Sequence, residues 1–166
     1  IMENLVSKGW LNLMEPRMMY TLTPEGTAEQ ERRLELTKDS ALAQALQPAY
    51  TLFLDLNNEF KGLCNSWQLK DGKPNDHCDA AYDQIQLESL KSINDRIKPI
   101  IAKLGEVLPR LERYQIRLQK ATKRVLAGET KMFTGVMCGS FHDIWMELHE
   151  DLILLQSIDR AEEGSF

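Results

Sequence analysis

The densest group of side chains that could bind a ligand lies between positions 67 and 83, where aromatic rings, amides, carboxylates and a histidine alternate. A small-molecule site needs an apolar wall and a few polar groups that converge on it. Trp67 and Tyr82 could form that wall together with the distant Trp145. The polar groups that could face it are Gln68, Asn75, His77 and His149.

The same segment also has a purely structural interpretation. Asn75 and Asp76 could form an Asx turn, and Asp79 could cap the helix that follows. This explains Asp79 well, but it leaves His77 and Trp67 without a role. Both interpretations therefore stay open at the level of the sequence.

Metal binding and catalysis find little support. His142 and His149 are seven positions apart, which is about 10 Å along a helix, whereas bonds to zinc are about 2 Å long. The motifs HExxH, GxSxG, GxGxxG and the Walker loop are absent. Cys78 follows His77 directly, but adjacency alone does not make a catalytic pair. We expect no metal, no cofactor and no enzymatic activity.

A run of cations in the second half of the chain is the other feature that could meet a ligand. Its members at helical spacing are Arg110, Arg113, Arg117, Lys120 and Arg124. Spacings of three and four place them on one helix face, which could meet phosphates or an anionic effector. Charged helix faces are more often solvated surface, so we favour pairing with acidic residues near the end of the chain. Those residues are Asp143, Glu147, Glu150 and Asp151.

Composition narrows the class of protein. The 166 residues are 43% hydrophobic and 27% charged, as in ordinary globular proteins, and the formal net charge is −5. That balance argues against a surface built for non-specific nucleic-acid binding. No membrane-spanning run or secretory signal is visible. The three cysteines lack CxxC spacing, which favours reduced thiols and a cytoplasmic location.

The elements that must position these side chains change character near position 36. Before it, the pattern predicts a helix over 1–8 that ends at Gly9, strands over 10–13 and 18–22, and a helix capped by Thr23. From Ser40 onward, apolar residues recur every three or four positions, which predicts α-helices. Asp39 or Ser40 would cap the first of them. The predicted helices span 40–67, 80–107, 110–127 and 133–156.

Proline and glycine residues should interrupt or loosen two of these helices. Pro99 should kink or split the helix over 80–107, because proline lacks the backbone N–H and clashes with the preceding turn. Gly135 and Gly139 should loosen the start of the last helix. The segment over 69–79 is predicted to be a polar loop.

Residues 5–34, LVSKGWLNLMEPRMMYTLTPEGTAEQERRL, resemble the last third of bacterial winged helix-turn-helix regulators of the MarR and PadR (AphA-like) kind. The shared pattern is a recognition helix ending in glycine, an apolar strand, a wing and the motif Y-x-L-T-x-x-G. Its positions here are Leu5, Gly9, Trp10, Leu11, Tyr20, Leu22, Thr23 and Gly26. The first two helices of the motif and most of the recognition helix are absent from the sequence. Since the chain opens with Ile1, we expect that an upstream part is missing.

The resemblance implies a mainly α fold, in which a partial winged helix with a short β-hairpin wing precedes an α-helical domain of about four helices. Residues 1–36 would be the DNA-binding part, and residues 37–166 would dimerise and sense an effector. Lys8, at the end of the recognition helix, and Arg17, at the wing tip, would contact double-stranded operator DNA. The predicted function is therefore a cytoplasmic, dimeric transcriptional regulator.

The alternative is a ligand-binding or protein-interaction module that retains the winged helix only as a scaffold. Acidity favours it, because residues 1–36 contain four Lys and Arg residues against six Glu residues. Such a balance is unfavourable for contact with phosphates.

Overall fold

The structure is a computed structural model that describes residues 1–15, 19–34 and 39–158. It is mainly helical and carries a small antiparallel hairpin near the N-terminus, as predicted from the sequence. The elements in the N-terminal part are α1 (Met2–Ser7), β1 (Leu11–Met14), β2 (Met19–Leu22) and α2 (Pro24–Leu34). Those that follow are α3 (Ala41–Gln68), β3 (Leu69–Lys70), β4 (Lys73–Pro74), α4 (Ala80–Val107), a 3₁₀ helix (Pro109–Glu112), α5 (Arg113–Leu126), α6 (Lys131–Thr134) and α7 (Phe141–Leu155).

The N-terminal unit begins with a helix that glycine terminates. Gly9 adopts a φ of +73°, and its N–H donates to the carbonyl of Val6 at 2.9 Å. The N–H of Trp10 donates to the carbonyl of Leu5 at 3.0 Å. These two bonds, with Gly9 in the left-handed conformation, close the C-terminal end of α1. The predicted stop at Gly9 is confirmed.

The two predicted strands form an antiparallel pair. Leu11 lies opposite Leu22 and Met14 lies opposite Met19. β1 begins one residue later than the sequence pattern predicts and extends to Met14, and β2 is described from Met19 to Leu22. The predicted wing tip, including Arg17, lies outside the described residues.

The long helices α3, α4, α5 and α7 pack around one hydrophobic core. Two of the predicted caps are present: the Ser40 hydroxyl accepts from the N–H of Ala43 at 3.1 Å, and Asp79 accepts from the N–H groups of Ala81 and Tyr82. Such caps satisfy N–H groups that have no partner within the helix. The core is aromatic near its centre, where the rings of Phe53, Phe60, Phe141 and Trp145 meet.

The helix α4 has the predicted bounds, Ala80–Val107. Of the two effects predicted for Pro99, a kink or a split, the split is absent. Pro99 and Asp95 are both exposed, so water can bind the carbonyl that loses its helical partner, while buried Ile97 and Ile100 keep the helix on the core.

The predicted helix over 133–156 is instead interrupted, with α6 ending at Thr134 and α7 beginning at Phe141. A Cβ at Gly135 would overlap the carbonyl oxygen of Lys131, so the chain turns there in a way that only glycine permits. Ser140 and Asp143 then start α7 with a capping box.

Among the residues that the structure describes, no helix combines the length and the apolar character needed to cross a membrane.

Candidate functional site

The segment after α3 folds back on that helix through a two-residue turn. Asp71 and Gly72 have φ values of +50° and +75°, as in the type I′ turns that join short antiparallel strands. The predicted polar loop over 69–79 therefore opens with the hairpin β3–β4. The turn returns Asn75 to the end of α3, where its N–H donates to the carbonyl of Gln68 at 2.8 Å.

Asn75 lies at the centre of a hydrogen-bond network. Its amide nitrogen lies 3.1 Å from the carbonyl oxygen of Trp67 and 3.0 Å from Oδ1 of Asp83. Its Oδ1 accepts from the N–H of His77 at 3.1 Å, which is the predicted Asx turn. Nδ1 of His77 lies 2.9 Å from Oδ2 of Asp83 and must carry the proton in that bond, since a carboxylate only accepts. The structure thus brings Trp67, Asn75 and His77 together.

Tyr82 and Asp79 fix the other side of the loop. The Tyr82 hydroxyl lies 2.8 Å from the carbonyl oxygen of Ser66, and the ammonium of Lys70 lies over its ring at 5.2 Å. Lys70 also binds Asp79 at 2.6 Å and lowers the pKa of that carboxyl, as does the N–H of Tyr82. These polar atoms are used within the protein, so the geometry fits the structural interpretation of this loop.

Trp145 and His149 occupy a different setting, the aromatic core. Nε1 of Trp145 donates to Oδ1 of buried Asn57 at 2.9 Å, and its ring stacks on Phe53 at 5.3 Å. The ring of His149 tilts against the same phenylalanine at 5.2 Å. The predicted ligand-site residues therefore divide between the loop and the core.

A cavity of about 280 Å³ lies between α3 and α7. Phe60 and Met146 form its apolar wall. Its polar groups are Asn57, Lys61, Asn65, Gln68 and His142. An apolar wall with a few converging polar groups is the arrangement that small-molecule sites use. Of the predicted ligand-site residues, Gln68 contributes to this cavity.

The electrostatics of this cavity favour hydrogen bonding. Nδ1 of His142 is buried without a hydrogen-bond partner, an arrangement that costs free energy unless a ligand or water supplies one. Burial raises the pKa of the Cys64 thiol to about 12, so the thiol stays neutral. The cavity therefore offers amide groups and one ammonium.

Sequence reasoning missed this site although a signal existed. The α3 residues of the cavity lie at spacings of three and four residues along one edge of the helix. Polar residues that follow the edge of a buried helix face can line a space that the neighbouring helix does not fill. The loop attracted attention instead, because its aromatic and polar residues are close in sequence.

The predicted DNA-binding cation Lys8 lies at the base of the hairpin. Its ammonium lies 4.7 Å from the ring centre of Trp10, and the guanidinium of Arg33 lies 4.9 Å from the same ring. Arg32 and Arg33 both bind Glu29, and their hydrogen bonds lower the pKa of that carboxyl to about 2. Within the described ranges, Lys8 has no ion pair.

Part of the cationic face of the later helices is paired with the acidic residues favoured from the sequence. Arg110 binds Asp151 through both terminal nitrogens, at 2.5 and 2.8 Å. Arg117 binds Glu147 in the same two-pronged manner. The expected partner Asp143 instead accepts backbone N–H groups of the loop that precedes it.

Comparison of the chain with protein-family models, curated proteins and solved structures found no match. Within residues 1–15, 19–34 and 39–158, no group of three or more histidine, cysteine or acidic side chains is arranged to hold a metal ion. The function must therefore be argued from local geometry.

Proposed function

We propose that this chain belongs to a dimeric, DNA-binding transcriptional regulator that responds to a small-molecule effector. The proposal rests on one observation, the arrangement of residues 1–34. A helix that ends at a glycine in the left-handed conformation is followed by an antiparallel pair of strands. A helix capped by Thr23 comes next. That order is the one expected of a recognition helix, a wing and the helix that leaves the winged domain.

The residues of the Y-x-L-T-x-x-G pattern have physical roles in this unit. The Thr23 hydroxyl donates to the carbonyl of Gly9 at 2.6 Å and accepts the N–H of Gly26 at 2.9 Å. A Cβ at Gly26 would overlap the carbonyl oxygen of Trp10. These contacts join the start of α2 to the end of α1, which gives the hairpin a fixed base from which to reach DNA.

Lys8 and Arg17 would contact DNA phosphates, and a second copy would present the same element to the next major groove. The cavity between α3 and α7 is the candidate effector site. A ligand that binds one arrangement of these helices more tightly than another would shift the population between them. The spacing of the two DNA-reading elements would change with that population.

The test is DNA binding by the full-length protein, with any residues that precede Ile1 included. A duplex selected from a randomised pool would be titrated and followed by fluorescence anisotropy across a range of salt concentrations. We expect sequence-preferring binding that weakens with salt, and a log–log salt slope reduced by about one in Lys8→Gln, since one phosphate contact is lost. Lys103→Gln, an exposed position on α4, should leave the slope unchanged. Absence of salt-sensitive, sequence-preferring binding would refute the proposal.

The second candidate is a ligand-binding or protein-interaction module with the winged unit as scaffold. The ion pairs of Glu29 with Arg32 and Arg33 favour it, because they neutralise cations that DNA would need. In that case the duplex would not bind, whereas ligands of the α3–α7 cavity would still raise the melting temperature.

A further inference from the structure

A second cavity, of about 270 Å³, lies between α5 and the segment that precedes α7. The α5 wall carries Arg117, Lys120 and Arg124, whose spacing of three and four residues turns them to the same side. Cys138 and Gly139 form part of the opposite wall. The apolar lining consists of Ala121, Met132 and Ile144. Three cations therefore surround a concave space with an apolar floor.

The charges around this space are incompletely paired. Arg117 binds Glu147, and Arg124 binds Glu129 through Nε and Nη2, which leaves its Nη1 unused in that pair. A guanidinium has five N–H donors, so both arginines retain donors for another acceptor. Lys120 is exposed and has no ion pair in the described part of the chain. The ammonium of Lys120 thus has no ion pair in these residues, and Arg117 and Arg124 have N–H groups free to donate.

The remaining carboxylate nearby is engaged elsewhere. Asp143 Oδ2 accepts from the N–H groups of Cys138 at 2.8 Å and Gly139 at 2.9 Å, and its Oδ1 accepts from Met137 at 3.2 Å. Asp143 forms no ion pair with the α5 cations in the described ranges, although its charge adds to the larger effect of the Glu147 hydrogen bond in raising the pKa of Arg117. Lys120 is thus the cation of this cavity that has no carboxylate partner among the described residues.

We propose that this cavity binds a small oxyanion, the phosphate or carboxylate group of a metabolite-sized molecule. Its volume corresponds to roughly nine water molecules at ~30 Å³ each, enough for such a ligand. A concave site of this size suits a small molecule, whereas a DNA backbone needs an extended face. The proposal is independent of DNA binding and of the α3–α7 cavity.

Cys138 supplies a reporter within the cavity wall. In a Cys78→Ser background, the rate of Cys138 alkylation by iodoacetamide would be followed by peptide mass spectrometry. Cys64 reacts slowly, because burial raises the pKa of its thiol. Inorganic pyrophosphate and citrate are titrated separately, each against chloride at matched ionic strength. A bound oxyanion would cover the thiol and so slow its alkylation.

We expect saturable, several-fold protection of Cys138 by at least one probe, and the probe that acts identifies phosphate or carboxylate chemistry. Lys120→Gln should lose most of the protection, whereas Lys123→Gln, an exposed lysine of the same helix outside the cavity, should keep it. Circular dichroism verifies that both variants are folded. Protection equal to that of chloride, or undiminished in Lys120→Gln, would overturn the proposal.

Discussion

Gly26 lies where the N-terminal unit has no room for a Cβ. A Cβ there would overlap the carbonyl oxygen of Trp10 and lie 2.8 Å from its carbonyl carbon. The same oxygen accepts the N–H of Thr23 at 3.1 Å. We expect Gly26→Ala to destabilise this contact by about 1–3 kcal/mol and to accelerate amide hydrogen exchange at Thr23, which nuclear magnetic resonance can measure.

Gly62 provides the matched control. It lies inside α3 with open space where a Cβ would stand, so Gly62→Ala should stabilise the protein by about 0.5–1 kcal/mol. Exchange at Thr23 should not change in that variant. If Gly26→Ala exchanged at the parental rate, the proposed close packing of α2 on the hairpin would be wrong.

For single residues, the sequence predicted helix caps better than it predicted the burial of side chains. Thr23, Ser40 and Asp79 were identifiable as caps, because a cap depends on residue type and the few positions that follow. The burial of His149 was not, because periodicity defines a helix face but not which other helices cover it. The assignment of Trp145 and His149 to an effector site remains a prediction.

Among the elements, α7 depends on how its first turn is capped. Burial alone would raise the pKa of Asp143, but N–H groups of Cys138, Met137, Gly139 and Ser140 outweigh it and lower the pKa. A carboxyl whose pKa is lowered by folding stabilises the folded state above its ordinary value of 3.8. That contribution is lost as the pH falls through the pKa of the folded state.

We therefore expect Asp143→Asn to lower the free energy of unfolding by about 1 kcal/mol at pH 7. The difference from the parent should shrink on acidification, because the parent loses the same contribution. Urea denaturation at neutral and acidic pH measures both values. Asp55→Asn, an exposed position on α3, is the control and should show no such convergence. A difference that is constant with pH would contradict the role assigned to the carboxylate.

The boundaries of elements were less predictable than their existence. The break between α6 and α7 depends on the close approach of Gly135 to the carbonyl of Lys131, which a list of residue types does not reveal. Pro99 does not split α4, because the apolar residues around it pack on the core and keep the helix continuous. Both outcomes depend on packing, which overrides local preference.

For the whole molecule, the core of the described residues is confined to the later helices. All its members lie within residues 42–158. The residues before them have backbone contacts of their own, such as those between Thr23, Gly9 and Gly26. The division near position 36, which the change in periodicity predicts, stays a prediction.

A fragment that starts at Asp39 would retain every residue of that core. We expect this fragment to keep its helical circular dichroism and to unfold cooperatively. The oxyanion should still slow the alkylation of Cys138, whereas any DNA binding should be lost. A fragment that starts at Asn58 is the control, because it lacks Leu46, Tyr50 and Phe53, each at most 2% exposed, and should not fold cooperatively. Loss of cooperative unfolding in the longer fragment would show that residues 1–38 complete the core. The two-part organisation, and with it the independence of the oxyanion site from the DNA-binding unit, would then be untenable.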